Sequence, residues 1–279
     1  MPEKNQQIID LLKRVDREGA VALSPIELTG IDSELIGNSV SVNPYEPLMH
    51  YMKFEYFMQI LTSKSLRIKR LDTYKDDPLE GLYPEANKRQ LSGFDSALFQ
   101  QLDVVQHPED RIRRDQFHRQ SAYVHCWYAG ILENKSMWEE YGDDGRGVCL
   151  LTTACRLESS VKHSADLLTS VSKITYLDGH TPIPTAISFL AFSRKQTKFA
   201  NEKEIRLIAE ITLDALPKDA EGHLQIPEEN RQLPVDLERL IEAVVTGPNF
   251  DRDNVAMLET AISDKISGKI VRFSEVAAW

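Results

Sequence analysis

Glu204 and Arg206 stand two residues apart in Glu204-Ile-Arg-Leu-Ile-Ala-Glu-Ile, where polar and apolar side chains alternate. That alternation puts both charges on one face of a strand. The run Leu207-Ile208-Ala209 follows at once, so the pair stands at the margin of a buried region. Charges there are costly unless paired or useful. Arg206 can pair with Glu204 and keep it ionised, or it can bind a phosphate. A carboxylate so placed stabilises positive charge that develops in a reaction.

Three other segments are equally rich in reactive side chains. They are His50-Tyr51, the run Asp76-Asp77-Pro78-Leu79-Glu80-Gly81, and Cys126-Trp127-Tyr128 followed by Ser136-Met137-Trp138-Glu139-Glu140-Tyr141. Each has a plainer reading. His50 can be a hydrogen-bonded structural histidine, and Trp127 and Tyr128 can be core aromatics. Trp138 and Tyr141, three apart on a helix, read as packing residues. Asp77 and Glu80 either bind a substrate or fix the turn and pair with Arg67 or Arg70. Glu204 and Arg206 can be a structural ion pair.

Glu133-Asn134-Lys135 matches half of a metal-dependent nuclease motif, but no Asp lies between Ser121 and Leu132 to complete it. No nucleophile elbow, phosphate-binding Walker loop or zinc-protease signature is present. Cys126, Cys149 and Cys155 lack the spacing of a zinc site. The Gly142-Asp-Asp-Gly-Arg-Gly turn has the composition of a phosphate cradle, but it leads into a strand rather than a helix N-terminus.

The elements that must position these residues follow from periodicity. Residues 5–18 read as a short helix with Ile8 to Val15 on one stripe and Gly19 ending it, and residues 20–47 read as a loop-like arm, so 1–47 is a helix and arm. The main domain spans 48–279. A strand at 48–51, a helix at about 54–62 and a strand at 65–70 open it. Pro78 forces Asp77 out of the helical region. Residues 86–120 read as a helical insertion, whose Arg111 to Arg119 stretch is a solvated basic face or a nucleic-acid or phosphate contact. Strands follow at 121–128, from 147, at 174–177, from 204, at 240–246 and at 271–273, the last closing the sheet. Helices are expected at 137–141, capped by Ser136 with Glu139, at 183–197 and at 254–263. The pattern is α+β with mixed or antiparallel central sheets and flanking helices. It lacks the regular alternation of a doubly wound fold.

The chain has 279 residues, 33 basic against 43 acidic, for a net charge of −10. That balance argues against a general nucleic-acid coat. No apolar run reaches the roughly 18 residues of a membrane span. The charged N-terminus lacks an apolar leader core, and three sparse cysteines suit a reducing compartment, so a cytoplasmic location without membrane partners is expected.

From Leu48 to Ile262 the sequence resembles a bacterial family known as domain-of-unknown-function family 2971. The residues that carry the resemblance are HYMKFEYFMQILTSKSLRIKR, Asp76-Asp77-Pro78-Leu79-Glu80, Cys126-Trp127-Tyr128, Met137-Trp138-Glu139-Glu140-Tyr141, Gly147-Val148-Cys149 and Glu202-Lys203-Glu204-Ile205-Arg206. Asp76 replaces an Asn of the pattern, and Trp127-Tyr128 replace Phe-Ser. The order of elements is similar to the ADP-ribosyltransferase fold, including its DNA-modifying toxin branch. Fold likeness carries function only weakly. The resemblance implies an enzyme that uses NAD as substrate, transferring ADP-ribose to a nucleic acid or protein or hydrolysing NAD, as a toxin or antiviral-defence effector with a neutralising partner protein. It implies catalytic roles for His50, Tyr128 and Glu204, with Tyr51, Lys53, Asp77, Trp127 and Arg206 around the NAD. The alternatives are a non-enzymatic sensor or interaction domain on the same fold and, third, a nuclease.

Overall fold

The computed structural model describes residues 42–77, 79–82, 119–178, 189–220 and 225–277. The expected helix at 5–18, most of the arm and the insertion with its basic stretch at 111–118 lie outside these residues.

Two hydrophobic faces dictate one large mixed sheet. Its strands are β1 (Pro47–Met52), β2 (Ser65–Arg70), β3 (Ala122–Ala129), β4 (Val148–Thr153), β5 (Leu167–Lys173), β8 (Glu204–Ile211), β9 (Asn230–Pro234), β10 (Ala243–Thr246) and β11 (Ile270–Phe273). They run β11-β10-β4-β1-β3-β2-β9, with β8 also on β3 and β5 on β8. All pairings are antiparallel except β10 with β11. A small parallel pair, β6 (Thr175–Leu177) and β7 (Arg194–Gln196), lies apart. The result is a mixed sheet with flanking helices, in accord with the α+β expectation.

Helix α1 (Phe54–Ser63) joins β1 to β2 and buries Phe57, Ile60 and Leu61, the stripe its sequence spacing requires. Lys64 stops it in the left-handed region (φ 51°), where its N–H reaches Ile60 O at 2.9 Å. Phe57 and Leu61 share the larger core with Leu48, Met52, Trp127, Leu150, Ile205 and Leu207. The opposite face of the sheet gathers Met49, Tyr51, Tyr128, Trp138, Cys149 and Val245. Parity along each strand sorts these residues into the two sets.

The structure corrects several local expectations. Asn134, not Ser136, caps α2 (Lys135–Glu140), its side chain accepting from Ser136 N. The helix expected over 183–197 is only α4 (Phe189–Phe192) in its described part, and Arg194–Gln196 is strand. The strand expected from 240 starts at Ala243, because Asp236 caps a short helix, α5 (Leu237–Leu240). Helix α3 (Ala154–Ser160) and strands β5 and β9 were not foreseen. The expected helix near 254–263 is α6 (Val255–Lys265). Strand β11 is at the sheet's edge, parallel to β10.

The turn from α2 into β4 has three successive left-handed residues, Asp143, Asp144 and Gly145. Asp tolerates that region better than most side chains. A Cβ on Gly147 would meet Met52 O at 2.1 Å, so the end of β1 can approach β4 only over a glycine.

Candidate functional site

Strand β3 organises the site. One of its edges carries β8 along nearly its whole length, from Ala122↔Glu210 to Tyr128↔Glu204. The other edge is shared. β1 pairs only at Leu48↔Ala129 and Met49↔Tyr128, and β2 only at Lys69↔Val124 and Arg70↔Tyr123. Between them β1 and β2 part, and among the described residues His125, Cys126 and Trp127 have no strand partner on that edge. A cavity of about 1120 Å³ opens at this split. Its walls include His50, Tyr51, Asp77, Trp127, Tyr128 and Glu204. That volume lies slightly above the roughly 300–1,000 Å³ of small-molecule sites.

His50, Tyr128 and Glu204 therefore line one hollow, but from two directions. Tyr128 and Glu204 are register partners on one face. His50 lies on the opposite face by strand parity and reaches the cavity through the gap. It stacks with His125 (4.3 Å between ring centres) and Trp127 (5.1 Å). Its Nδ1–H donates to Cys126 O at 3.0 Å, which satisfies a carbonyl that β1 and β2 leave open. Burial holds the imidazole neutral, lowering its pKa to about 4. A neutral His50 with Nδ1 protonated keeps an acceptor lone pair at Nε2. Trp127 shares that aromatic wall. Tyr51 is on the Glu204 face, accepting from Asn134 N at 3.0 Å and meeting Trp138 edge-on at 4.8 Å.

Glu204 is 4% exposed at the start of β8. Arg206 Nε donates to its Oε1 at 2.5 Å, and Lys195 Nζ to its Oε2 at 3.1 Å. Burial alone would raise this carboxyl, but the two cations overcome it and hold the pKa down to about 2. Lys195 also bonds Glu202 Oε2 at 2.5 Å. Arg206 reaches across 126 residues to Glu80 and donates to Phe192 O at 2.9 Å. Burial pushes Glu80 and Glu202 up, against the pull of Arg206 and Lys195 respectively. Three carboxylates thus share two cations, and the cluster leans negative.

Two expected NAD contacts are placed elsewhere. Arg206 is fully buried, so the expectation that it touches NAD is corrected: it acts on the cavity through Glu204. Lys53 is not on the cavity wall and turns toward Asp143 at 3.9 Å, half exposed. Its place one residue past β1 carries it out of the cleft. Asp77 is on the wall but is held by Gln196 Nε2 at 2.5 Å and Leu79 N at 3.1 Å. Glu80 pairs with Arg206, so neither residue of the turn pairs with Arg67 or Arg70. Arg70 instead bonds Asp72.

Trp138 is a core residue as expected, but Tyr141 lines the cavity. Glu133 is occupied otherwise than in a nuclease: its carboxylate accepts from Trp138 Nε1 at 2.9 Å, Ser274 Oγ at 2.5 Å and Glu275 N at 2.9 Å. Lys135 pairs with Glu139 at 3.7 Å. Among the described residues no group of three or more His, Cys, Asp or Glu is placed to hold a metal ion, and no helix is long and apolar enough to cross a membrane.

Sequence reasoning missed Lys195, Tyr74 and His125, all on the wall. Lys195 was hidden by the helical reading of its segment. His125 had a signal, since it is two residues from Trp127 on the same strand face. No family model matches the chain, and neither the curated proteins nor the solved structures contain a match. The functional reading rests on the geometry.

Proposed function

We propose that the cavity binds NAD and that the protein is an ADP-ribosyltransferase-like enzyme. It transfers ADP-ribose to a nucleic acid or protein, or hydrolyses NAD, in the manner of a toxin or antiviral-defence effector. The observation that carries this reading is the pairing of Tyr128 with Glu204 on one wall of the cavity, with Glu204 held ionised by Arg206 and Lys195.

The chemistry suits the site. When the nicotinamide–ribose bond breaks, its electron pair leaves with nicotinamide and positive charge develops on the sugar. A fixed carboxylate beside the ribose stabilises that charge, as in glycoside hydrolysis. With a pKa of about 2, Glu204 is a weak base, so its contribution is electrostatic rather than proton transfer. Tyr128 and Tyr51 offer aromatic faces to the leaving ring. The acceptor, or water, then adds to the anomeric carbon and releases a proton.

The test is nicotinamide release from NAD, measured with labelled ADP-ribose on added DNA, RNA and protein. One observation favours a second reading. Both Glu204 oxygens already have cationic partners, which also fits a non-enzymatic nucleotide-binding sensor. That reading expects binding without turnover.

A further inference from the structure

The β2 wall of the cavity carries two cations in a chain with ten more acidic than basic residues. Arg67 and Lys69 alternate on one face of β2, the face of Val124 and so of Tyr128 and Glu204. Both line the cavity. Asn230 Oδ1 accepts from Arg67 Nε at 3.1 Å, which orients the guanidinium and leaves its two terminal nitrogens to donate. Lys69 Nζ stands 4.8 Å from the centre of the Tyr74 ring, another wall residue. Among the described residues no carboxylate lies within ion-pair distance of either cation. Glu202, Glu204 and Glu80, by contrast, all have cationic partners. The cavity is therefore polarised, with unneutralised cations on β2 and an acidic cluster at the start of β8.

The register sets the separation. Lys69 and Glu204 are two strand spacings apart, about 10 Å, and four residues apart along β3, about 13 Å. Arg67 lies nearer by two residues. A free sugar is too short to engage both ends. A ligand with an anionic linker and a ribose beyond it fits, because a guanidinium fork with a neighbouring ammonium suits phosphate oxygens.

The geometry points to Arg67 and Lys69 as a diphosphate-binding subsite, holding the phosphates of a dinucleotide while its ribose reaches Glu204. This deepens, and rests on, the NAD reading above. It also explains why neither cation has a carboxylate partner among the described residues. The ligand supplies the counter-charge.

The test is calorimetric titration of the full chain with ADP-ribose, ADP, inorganic pyrophosphate, adenosine, nicotinamide and a DNA oligonucleotide. Arg67→Gln, Lys69→Gln, the double variant and Glu204→Gln are compared, with thermal melts as the folding control. ADP-ribose and ADP bind the wild type, more weakly as salt rises, and adenosine does not match them. Each single Gln variant weakens ADP at least about tenfold, and Glu204→Gln leaves ADP binding intact. Pyrophosphate binding without preference for ADP narrows the subsite to the phosphates and still supports it. The subsite is overturned if a folded double variant binds ADP as tightly as the wild type. It is equally overturned if the wild type binds the oligonucleotide but neither ADP nor ADP-ribose. The two proposals fail separately. Arg67-dependent ADP binding without NAD turnover sinks the transferase alone, and NAD turnover with an unchanged KM in the double variant sinks the subsite alone.

Discussion

Tyr128 and Glu204 face each other across β3 and β8, on one side of the sheet and on the wall of one cavity. The register fixes this relationship, and neither residue can leave it without breaking a ladder. It puts an ionised carboxylate and an aromatic hydroxyl side by side where the sheet divides.

Arg206 has no exposed surface and binds two carboxylates, Glu204 two residues before it and Glu80 126 residues before it. Arg206→Met is expected to destabilise the protein by about 3–5 kcal/mol, because it leaves Glu80 buried without its cation and Glu204 with Lys195 alone. Arg206→Lys should not restore it, since an ammonium cannot reproduce the guanidinium fork. Urea unfolding measures both, and a loss below about 1 kcal/mol for the Met variant would count against the cluster as described.

Acid should weaken the fold in two stages. His50 has a pKa of about 4 in the folded chain against 6.5 when unfolded. Between those values the unfolded state binds the extra proton, so stability falls as pH drops from about 6.5 to 4. His125, packed on His50 and shifted the same way, adds to this stage. Glu204 is depressed to about 2 from 4.5, so the stability it supplies is present above 4.5 and is lost as pH falls toward 2, a loss that the upward-shifted Glu80 and Glu202 partly offset. Denaturant midpoints measured across this range check the order. A flat profile down to pH 4 contradicts it.

Lys195 should tune the activity rather than the fold alone. Its charge helps hold Glu204 ionised. Lys195→Gln is expected to move the acidic limb of NAD turnover to higher pH, because the Glu204 carboxyl then titrates higher. A pH–rate profile with an unmoved acidic limb would remove Lys195 from the site.

Much of this arrangement was legible from the residues. Alternation marked β2 and β8, a continuous apolar run marked β3 as a buried strand, and a helical stripe marked α1. Strands β5 and β9 were not legible: Leu167–Lys173 is rich in hydroxyls, and Asn230–Pro234 buries only Leu233. Their partners, β8 and β2, define them more than their own pattern does. The site was half legible. The Glu204–Arg206 pair followed from a spacing of two, but the face of His50 depends on inter-strand register. The reach of Arg206 to Glu80 leaves no trace in either local sequence.

Glu133 should prove structural. Glu133→Gln is expected to loosen the chain around Ser274 and Glu275, costing about 1–3 kcal/mol, with nicotinamide release unchanged. Thermal melts and NAD assays separate the two effects. Metal-dependent DNA cleavage abolished by this variant would revive the nuclease reading.

The most direct measurement is chromatographic quantification of nicotinamide released from NAD by wild type, Glu133→Gln and Glu204→Gln, each checked for folding by circular dichroism. Release by the first two, reduced on the order of a hundredfold or more in a folded Glu204→Gln, is the predicted result. Equal release by wild type and Glu204→Gln, or none from a wild type that binds ADP-ribose, contradicts the account.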